Sequence, residues 1–436
     1  MHKDVSRSLS QRSWSVLAGL LMTFSVPVFL SASQQGYFYT FSSVLAIQIF
    51  FELGLGQVLL YKFASVVSPA DERLPDLDHQ RLTSLLYVAR RFYIVISLLF
   101  FVAALIGGYL FLSTSSVTGV EWRPQWFCLV FATSINLAQS IKLVFLESQG
   151  FVADVATLRL KIGIVSTIIF LIVLALGAGL WAAVVAPAAN AGITSLWIYR
   201  SRKTLSYRHS RILDSRISPR EILQIWRVEI FPLQWRTSVS WISGYFIFQL
   251  ITPIAFSRFG PEVAGRLGFA ISAMNSILFV STTFTSAVSP RLSVLFHSFK
   301  IEESNLLFDT SFRRSLMAIV ALSQLFVLAL YAISFFSHPF ASRFLSWDLA
   351  LLYSPSVILS AIVYCWATYL RSQAIEPLVL QSAITALVMA PVLWLASSFS
   401  VGTMLGGMAI VYLFSAAAVW RIYSANRLAL TRAACV

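Results

Sequence analysis

The chain has 436 residues, 58% of them hydrophobic and only 11% charged, with a mean hydropathy of +0.78 and a net charge of +14. A soluble domain carries about twice that charged fraction, and apolar runs of about 20 residues recur along the whole length; this is expected to be an all-α polytopic membrane protein, not a soluble domain and not a barrel of alternating ten-residue strands. Nucleic-acid binding is not the meaning of the positive charge, because the basic residues sit between apolar runs, where they set orientation.

Twelve spans are expected, at 14–32, 38–61, 92–112, 125–146, 160–177, 181–199, 230–252, 267–289, 315–336, 349–370, 377–396 and 402–420. The basic start, the apolar stretch from Trp14 and the small residues Ser31-Ala32-Ser33 imitate a signal peptide. The length of that stretch and the many spans after it favour a first span instead. Span 2 carries Phe50-Phe51-Glu52-Leu53-Gly54-Leu55-Gly56-Gln57. A carboxylate in a span costs a few kcal/mol or more and usually faces the protein interior or a water-filled path. Glu52 lies about nine residues, roughly 13 Å, from the cytoplasmic end. Gly54 and Gly56 weaken the helix there and allow a kink or a close helix contact.

In span 4, Asn136, Gln139 and Lys142 form a slanting polar stripe on one side of the helix. Between spans 6 and 7 runs the longest basic segment, Arg200 to Glu229. It divides the chain into 1–200, a linker at 201–229 and 230–436. Within it, Ser218-Pro219-Arg220-Glu221 reads as a helix start, with Ile222, Ile225 and Trp226 on one face. A short helix lying on the inner leaflet and a solvated linker both fit. Span 7 holds Arg236. Gln48, Gln57, Gln249, Asn275, Gln324 and Gln381 also lie in spans, where interhelical hydrogen bonds explain most of them. Trp14, Trp181, Trp226 and Trp347 read as interface anchors. Pro27, Pro187 and Pro253 should bend their helices.

With the N-terminus in the cytoplasm, 26 of the 32 Lys and Arg fall on the cytoplasmic side and 4 outside, which places both termini in the cytoplasm. Six spans per half is an even number, so a duplication would be a parallel repeat. A trace of one exists: Gly36-Tyr37-Phe38 opens span 2, Gly265-Arg266-Leu267 opens span 8, and the same offset pairs Lys62 with Arg291.

The charges within the spans each admit a functional and a structural role. Glu52 is a coupling-ion or gating carboxylate facing a central cavity, or a structural one paired with a neighbouring helix, or a neutral protonated one. Arg236 and Lys142 meet an anionic head group, the Arg fork suiting a diphosphate, or they snorkel to the membrane surface. Against catalysis stand the short outer loops with few carboxylates (Glu121, Glu262, Asp348) and the lack of a Walker A, Gly-rich nucleotide loop or zinc motif. The three cysteines (Cys128, Cys365, Cys435) have no metal spacing, and the five histidines (His2, His79, His209, His297, His338) lie in tails or loops. No cofactor or metal is expected, with Na+ or H+ as the candidate coupling ion.

Gly36-Tyr37-Phe38 through Phe51-Glu52-Leu53-Gly54-Leu55-Gly56 resembles the signature of polysaccharide flippases in the multidrug/oligosaccharidyl-lipid/polysaccharide exporter superfamily. Members often read there as Gly-aromatic-apolar, then an acidic residue before Leu-Gly. Phe259-Gly260-Pro261-Glu262-Val263-Ala264-Gly265 and Ser289-Pro290-Arg291-Leu292-Ser293 resemble the family's turn before span 8 and its Pro-Arg ending of that span. The resemblance implies two six-helix lobes around a central cavity and an inner-membrane protein. Such a protein moves polyprenyl-diphosphate-linked oligosaccharide repeat units outward by alternating access. Its partners would be the lipid-linked oligosaccharide, membrane lipids and other polysaccharide-assembly proteins. It gives Arg236 and Lys142 a diphosphate role and Glu52 a role in ion coupling or lobe closure, with Asn136, Gln139 and Gln57 along the substrate path. Span 1 has no acidic residue, unlike many proton- or sodium-coupled drug exporters of the superfamily. The two extra C-terminal spans of the lipid II flippase branch are also lacking. Both departures point to the O-antigen or exopolysaccharide type. A cation-coupled drug or metabolite exporter of the same fold, and a membrane glycosyltransferase or polymerase, remain the alternatives.

Overall fold

A computed structural model of the chain describes residues 2–66, 76–115, 119–209, 224, 226–336, 339–373 and 375–434. Each expected span coincides with helix, as lipid requires of a backbone that must satisfy its own N–H and C=O groups. Ten helices are individually long and apolar enough to cross a membrane; a bent pair, Ala32–Glu52 with Leu55–Ala64, and the shorter Trp14–Phe29 account for the other two. The protein is therefore a multi-pass integral membrane protein of about twelve helices.

Span 1 is His2–Phe29, and Ser31 caps the next helix, accepting from the Gln34 backbone while the Gln34 side chain reaches back to it. Span 2 runs through Ala32–Leu45, a 3-10 turn at Ala46–Gln48, Ile49–Glu52 and, after a break, Leu55–Val66. Spans 3 to 6 are Asp76–Ser113, Arg123–Ser148, Val152–Ala175 and Trp181–His209. Span 7 is split into Phe231–Phe248 and Ile251–Phe259. Pro253 explains the split, since its ring crowds the carbonyl four residues back, at Gln249. Pro27 and Pro187 lie inside their helices. Spans 8 to 12 are Pro261–His297, Ile301–Phe335, Trp347–Arg371, Val379–Ala396 and Val401–Ala434. The helix expected from Ser218 falls outside the described residues.

Two compact units divide the chain, Met1–Ile242 and Ser243–Val436. The division lies inside the helix Phe231–Phe248, whose first part meets span 2 at Leu53 through Ser238. In the first unit, span 1 packs on 5, 2 on 3 and 4, 3 on 4, and 4 and 5 on 6. In the second, 7 packs on 11, 8 on 9 and 10, 9 on 10, and 10 and 11 on 12. These pairings correspond, six spans apart, while span 4 on 5 and span 9 on 12 are further contacts that the other unit does not match. Span 2 and span 8 also begin at equivalent positions, Ala32 and Pro261, with the same offset that relates Gly36 to Gly265.

Trp14 is an exception among the expected interface anchors. It is half-buried, with its ring against Gly163 of span 5, where an added Cβ would stand 3.0 Å from Trp14 Cδ1.

Spans 8, 9 and 12 outrun their apolar stretches. Their extra turns are held by a core of Leu292, Phe296, Ile301, Phe308, Tyr369, Val419 and Tyr423, which a hydropathy window tuned to lipid does not register. Arg427 closes this end: its guanidinium donates to both Asp309 oxygens, at 2.8 and 2.7 Å, and to the Tyr423 hydroxyl at 2.6 Å. The pair is about a third exposed, at 30% and 39%, so solvent screens part of it. Arg427→Ala is expected to cost about 1–2 kcal/mol, read as a lower apparent Tm in detergent. Arg427→Lys should recover little, because a single ammonium does not replace a two-pronged contact.

Candidate functional site

The site is built on the break in span 2. The helix Ile49–Glu52 ends with Leu53 in the left-handed region at φ 51°, and Gly54 follows at φ 69°. A side-chain-bearing residue pays roughly 1–2 kcal/mol for that conformation, so neighbouring contacts must hold it. Span 7 supplies them: Ser238 Oγ stands 3.2 Å from the Leu53 carbonyl oxygen, sharing its one proton with the nearer Gln234 carbonyl at 2.7 Å. A Cβ added to Gly54 would stand 2.5 Å from Thr237 Cγ2 and 3.2 Å from Trp241 Nε1. Glycine is required there both for φ and for the approach of span 7.

Glu52 is the last residue before the break. Tyr93 of span 3, fully buried, donates its hydroxyl to Glu52 Oε1 at 2.9 Å. Gln48, one turn earlier, also hydrogen-bonds the carboxylate. Ser140 of span 4 stands beside the Tyr93 hydroxyl and donates its own proton to the Leu137 carbonyl at 2.7 Å. Gly56 makes room for the pair, since a Cβ there would lie 2.9 Å from Glu52 Oε1 and 3.1 Å from the Tyr93 hydroxyl. The carboxylate is thus half-buried, aimed by two donors and set beside a hinge-like backbone break. Two polar side chains satisfy its lone pairs in a medium where an unmade hydrogen bond is expensive.

The other expected residues do not all join it. Asn136 Nδ2 donates to the Pro187 carbonyl at 2.9 Å, and Gln139 Nε2 to Ser195 Oγ at 2.6 Å. Their stripe faces span 6, and Asn136 Oδ1 and Gln139 Oε1 are buried without a donor. Lys142 is half-buried on the same helix, and Gln57 is exposed on Leu55–Val66. Arg236 lies on Phe231–Phe248, but its side chain is outside the described residues. Tyr93, Ser140 and Ser238 are additions to the sequence reading. Tyr93 carried one signal, a polar-tipped ring following Arg90-Arg91 at the mouth of span 3, but nothing in its spacing tied it to Glu52. Of the other polar residues in spans, two make the expected interhelical bonds: Gln324 to Ser354 at 3.4 Å and Gln381 to Ser415 at 2.6 Å.

No family model and no curated protein matches the sequence. Solved structures do. An inward-facing multidrug resistance MATE family transporter of the MOP superfamily aligns with TM-score 0.66 at 13% identity, over 99% of this chain and 98% of that one. The lipid II flippase MurJ, in an inward closed conformation, aligns with TM-score 0.63 at 12% identity, over 98% of this chain and 90% of that one. A MOP superfamily transporter from Pyrococcus furiosus aligns with TM-score 0.54 at 13% identity, over 98% and 95%. The chain therefore has the fold shared by these membrane transporters and by this lipid flippase, along nearly its full length.

Proposed function

We propose that the protein flips polyprenyl-diphosphate-linked oligosaccharide repeat units across the bacterial inner membrane by alternating access, for surface polysaccharide biosynthesis, with both termini cytoplasmic. The observation that carries this reading is the charge within the spans. Glu52 is the one acidic residue in the twelve expected spans, and hydrogen bonds from Tyr93 and Gln48 already engage it. Lys142 and Arg236 supply positive charge. That balance suits an anionic diphosphate better than a cationic drug. The likeness to a lipid II flippase over 98% of the chain supports a lipid-linked cargo. Glu52 is assigned to coupling by Na+ or H+, and Arg236 and Lys142 to the diphosphate. The likeness to a multidrug MATE transporter favours a second reading, a cation-coupled drug or metabolite exporter.

The test is a deletion of the gene with polyprenyl-diphosphate-linked glycans assayed by leaflet. Complete repeat units trapped on the cytoplasmic side, released by the wild-type gene, support the flippase. Normal leaflet distribution with heightened sensitivity to cationic drugs supports the exporter. Repeat units that reach the outer leaflet but stay unpolymerised point to a polymerase. Arg236→Ala is expected to lower surface polysaccharide at normal membrane levels of the protein; an unchanged amount removes Arg236 from the path.

A further inference from the structure

At one end of the second unit, span 9 stops at Phe335 and span 10 starts at Trp347, with a 3-10 turn at Pro339–Arg343 in the connection. Between this connection and the first turns of spans 8 and 12 lies a cavity of about 240 Å3. Val263, Leu330, Ile333, Phe344 and Leu345 give it apolar walls, into which Arg266, Ser334 and Ser346 are set. Among the described residues Arg266 is the one charged side chain on the cavity. Neither Glu262 nor Asp348, the acids on the same two helix starts, lines it. The Arg266 Nε is buried and has no hydrogen-bond partner among the described residues. The Glu262 carboxylate comes only to 4.0 Å from Nη2, beyond hydrogen-bond reach. A buried charged donor without an acceptor is costly and calls for one. Ser346 holds the N-cap position of span 10, yet its hydroxyl makes no cap bond, which leaves the first backbone N–H groups of that helix without their usual acceptor. Aromatic rings gather on the same rim. Trp347, which lines the cavity, meets Tyr331 edge-on at 5.5 Å, and Tyr331 stacks on Phe335 at 6.2 Å. Phe335 and Phe336 are 70% and 77% exposed. Trp and Tyr rings collected at span ends mark the level of the lipid head groups.

We infer that this cavity seats the phosphate of a bilayer glycerophospholipid, held by Arg266 and Ser346, with the glycerol and first acyl carbons against the apolar walls. Each observation narrows the occupant. A guanidinium with an unpaired Nε asks for an anion, and its fork fits phosphate oxygens. Apolar walls disfavour a free phosphate ion, which would leave most of its charge without polar partners. One guanidinium balances one phosphodiester charge, and a diphosphate would bring excess charge into the same walls. The volume lies below the about 300–1,000 Å3 of drug-sized sites, room for a head group and not for a saccharide chain. The aromatic rim sets the cavity at the depth of phospholipid head groups. The site does not depend on the cargo. With both termini cytoplasmic, as proposed above, the lipid belongs to the outer leaflet.

The experiment uses the full-length protein in a maltoside detergent, which brings no phosphate of its own. A phosphatidylglycerol with a diazirine on the acyl carbons next to its glycerol is titrated in, irradiated, and mapped by peptide mass spectrometry. Saturable label is expected in 330–349. Its half-saturating concentration should rise about fivefold in Arg266→Gln, the effect of one lost basic contact with an anionic lipid. In Ser346→Ala it should rise about threefold, the effect of one neutral hydrogen bond. Ser346→Ala loses no cap bond, so it carries the test where Arg266→Gln inserts poorly. Arg258→Gln is the control. This arginine is exposed at the end of Ile251–Phe259, stacked 4.1 Å over Trp394, and does not line the cavity; its loss should leave the label unchanged. A diacylglycerol with the same tails should label 330–349 weakly and without saturation. Equal label from the diacylglycerol means that phosphate is not recognised and overturns the site, as does label that neither cavity variant moves. Displacement of the lipid by an equal concentration of inorganic phosphate assigns the cavity to a soluble anion and overturns the lipid. The readout does not involve transport, so the site and the proposed function stand or fall separately.

Discussion

Glu52→Gln is expected to cut surface polysaccharide by about tenfold to a hundredfold while the protein still inserts at normal levels. The substitution keeps the size of the side chain and an acceptor for Tyr93, removes the charge and turns the second oxygen into a donor. Hydrogen bonds to a charged group contribute about 1.5–3 kcal/mol, which is the size of the expected loss. Gly56→Ala separates position from charge. Its Cβ would intrude 2.9 Å from Glu52 Oε1 and 3.1 Å from the Tyr93 hydroxyl, and the free end of a Glu side chain swings away cheaply. Alanine also favours the helix by about 0.5–1 kcal/mol over glycine. Gly56→Ala should therefore lose polysaccharide, while the helix gain is offset by the hydrogen bond that buried Tyr93 gives up, leaving the apparent Tm near or a little below the wild type. Normal polysaccharide in both variants would leave Glu52 a structural carboxylate with no part in transport.

Much of the fold was legible because lipid imposes one rule on every span. Twelve apolar runs became helices in the expected order, and the offset relating Gly36 to Gly265 reappears in the helix starts Ala32 and Pro261. The kink at Gly54 was also legible, since two glycines behind an acid within a span leave little else to hold a straight helix. Other features were hidden for physical reasons. The extra turns around Phe308 and Tyr423 bury their apolar side in an aromatic core and show polar residues outside, so they resemble loops to any hydropathy average. The partners of Glu52 are also invisible to periodicity. Tyr93 comes from span 3, and only packing decides which faces of two helices meet. The same limit explains Asn136 and Gln139, whose stripe was correctly spaced but faces span 6. Spacing fixes a face; it does not say what lies opposite.

Gly54→Ala is expected to lower stability by about 2–5 kcal/mol, the sum of left-handed strain of about 1–2 kcal/mol and overpacking of about 1–3 kcal/mol. Gly150 offers the matching control. It has φ 91° with nothing within 4 Å of an added Cβ, so Gly150→Ala should show the strain alone. Detergent-solubilised membrane proteins often unfold irreversibly, so apparent Tm values must be compared at one scan rate. The overpacking has a single main source, Thr237 Cγ2, at 2.5 Å from the added Cβ. Thr237→Ser deletes that methyl and keeps the hydroxyl that donates to the Leu233 carbonyl at 3.1 Å. The double variant Gly54→Ala/Thr237→Ser should then recover the overpacking and settle near the Gly150→Ala value, a non-additivity expected of groups in direct contact. If Thr237→Ser rescues nothing, span 7 does not close on the span 2 break through this contact. The placement of the first half of span 7 within the first unit would then rest on the Ser238 hydroxyl and the Leu53 carbonyl alone.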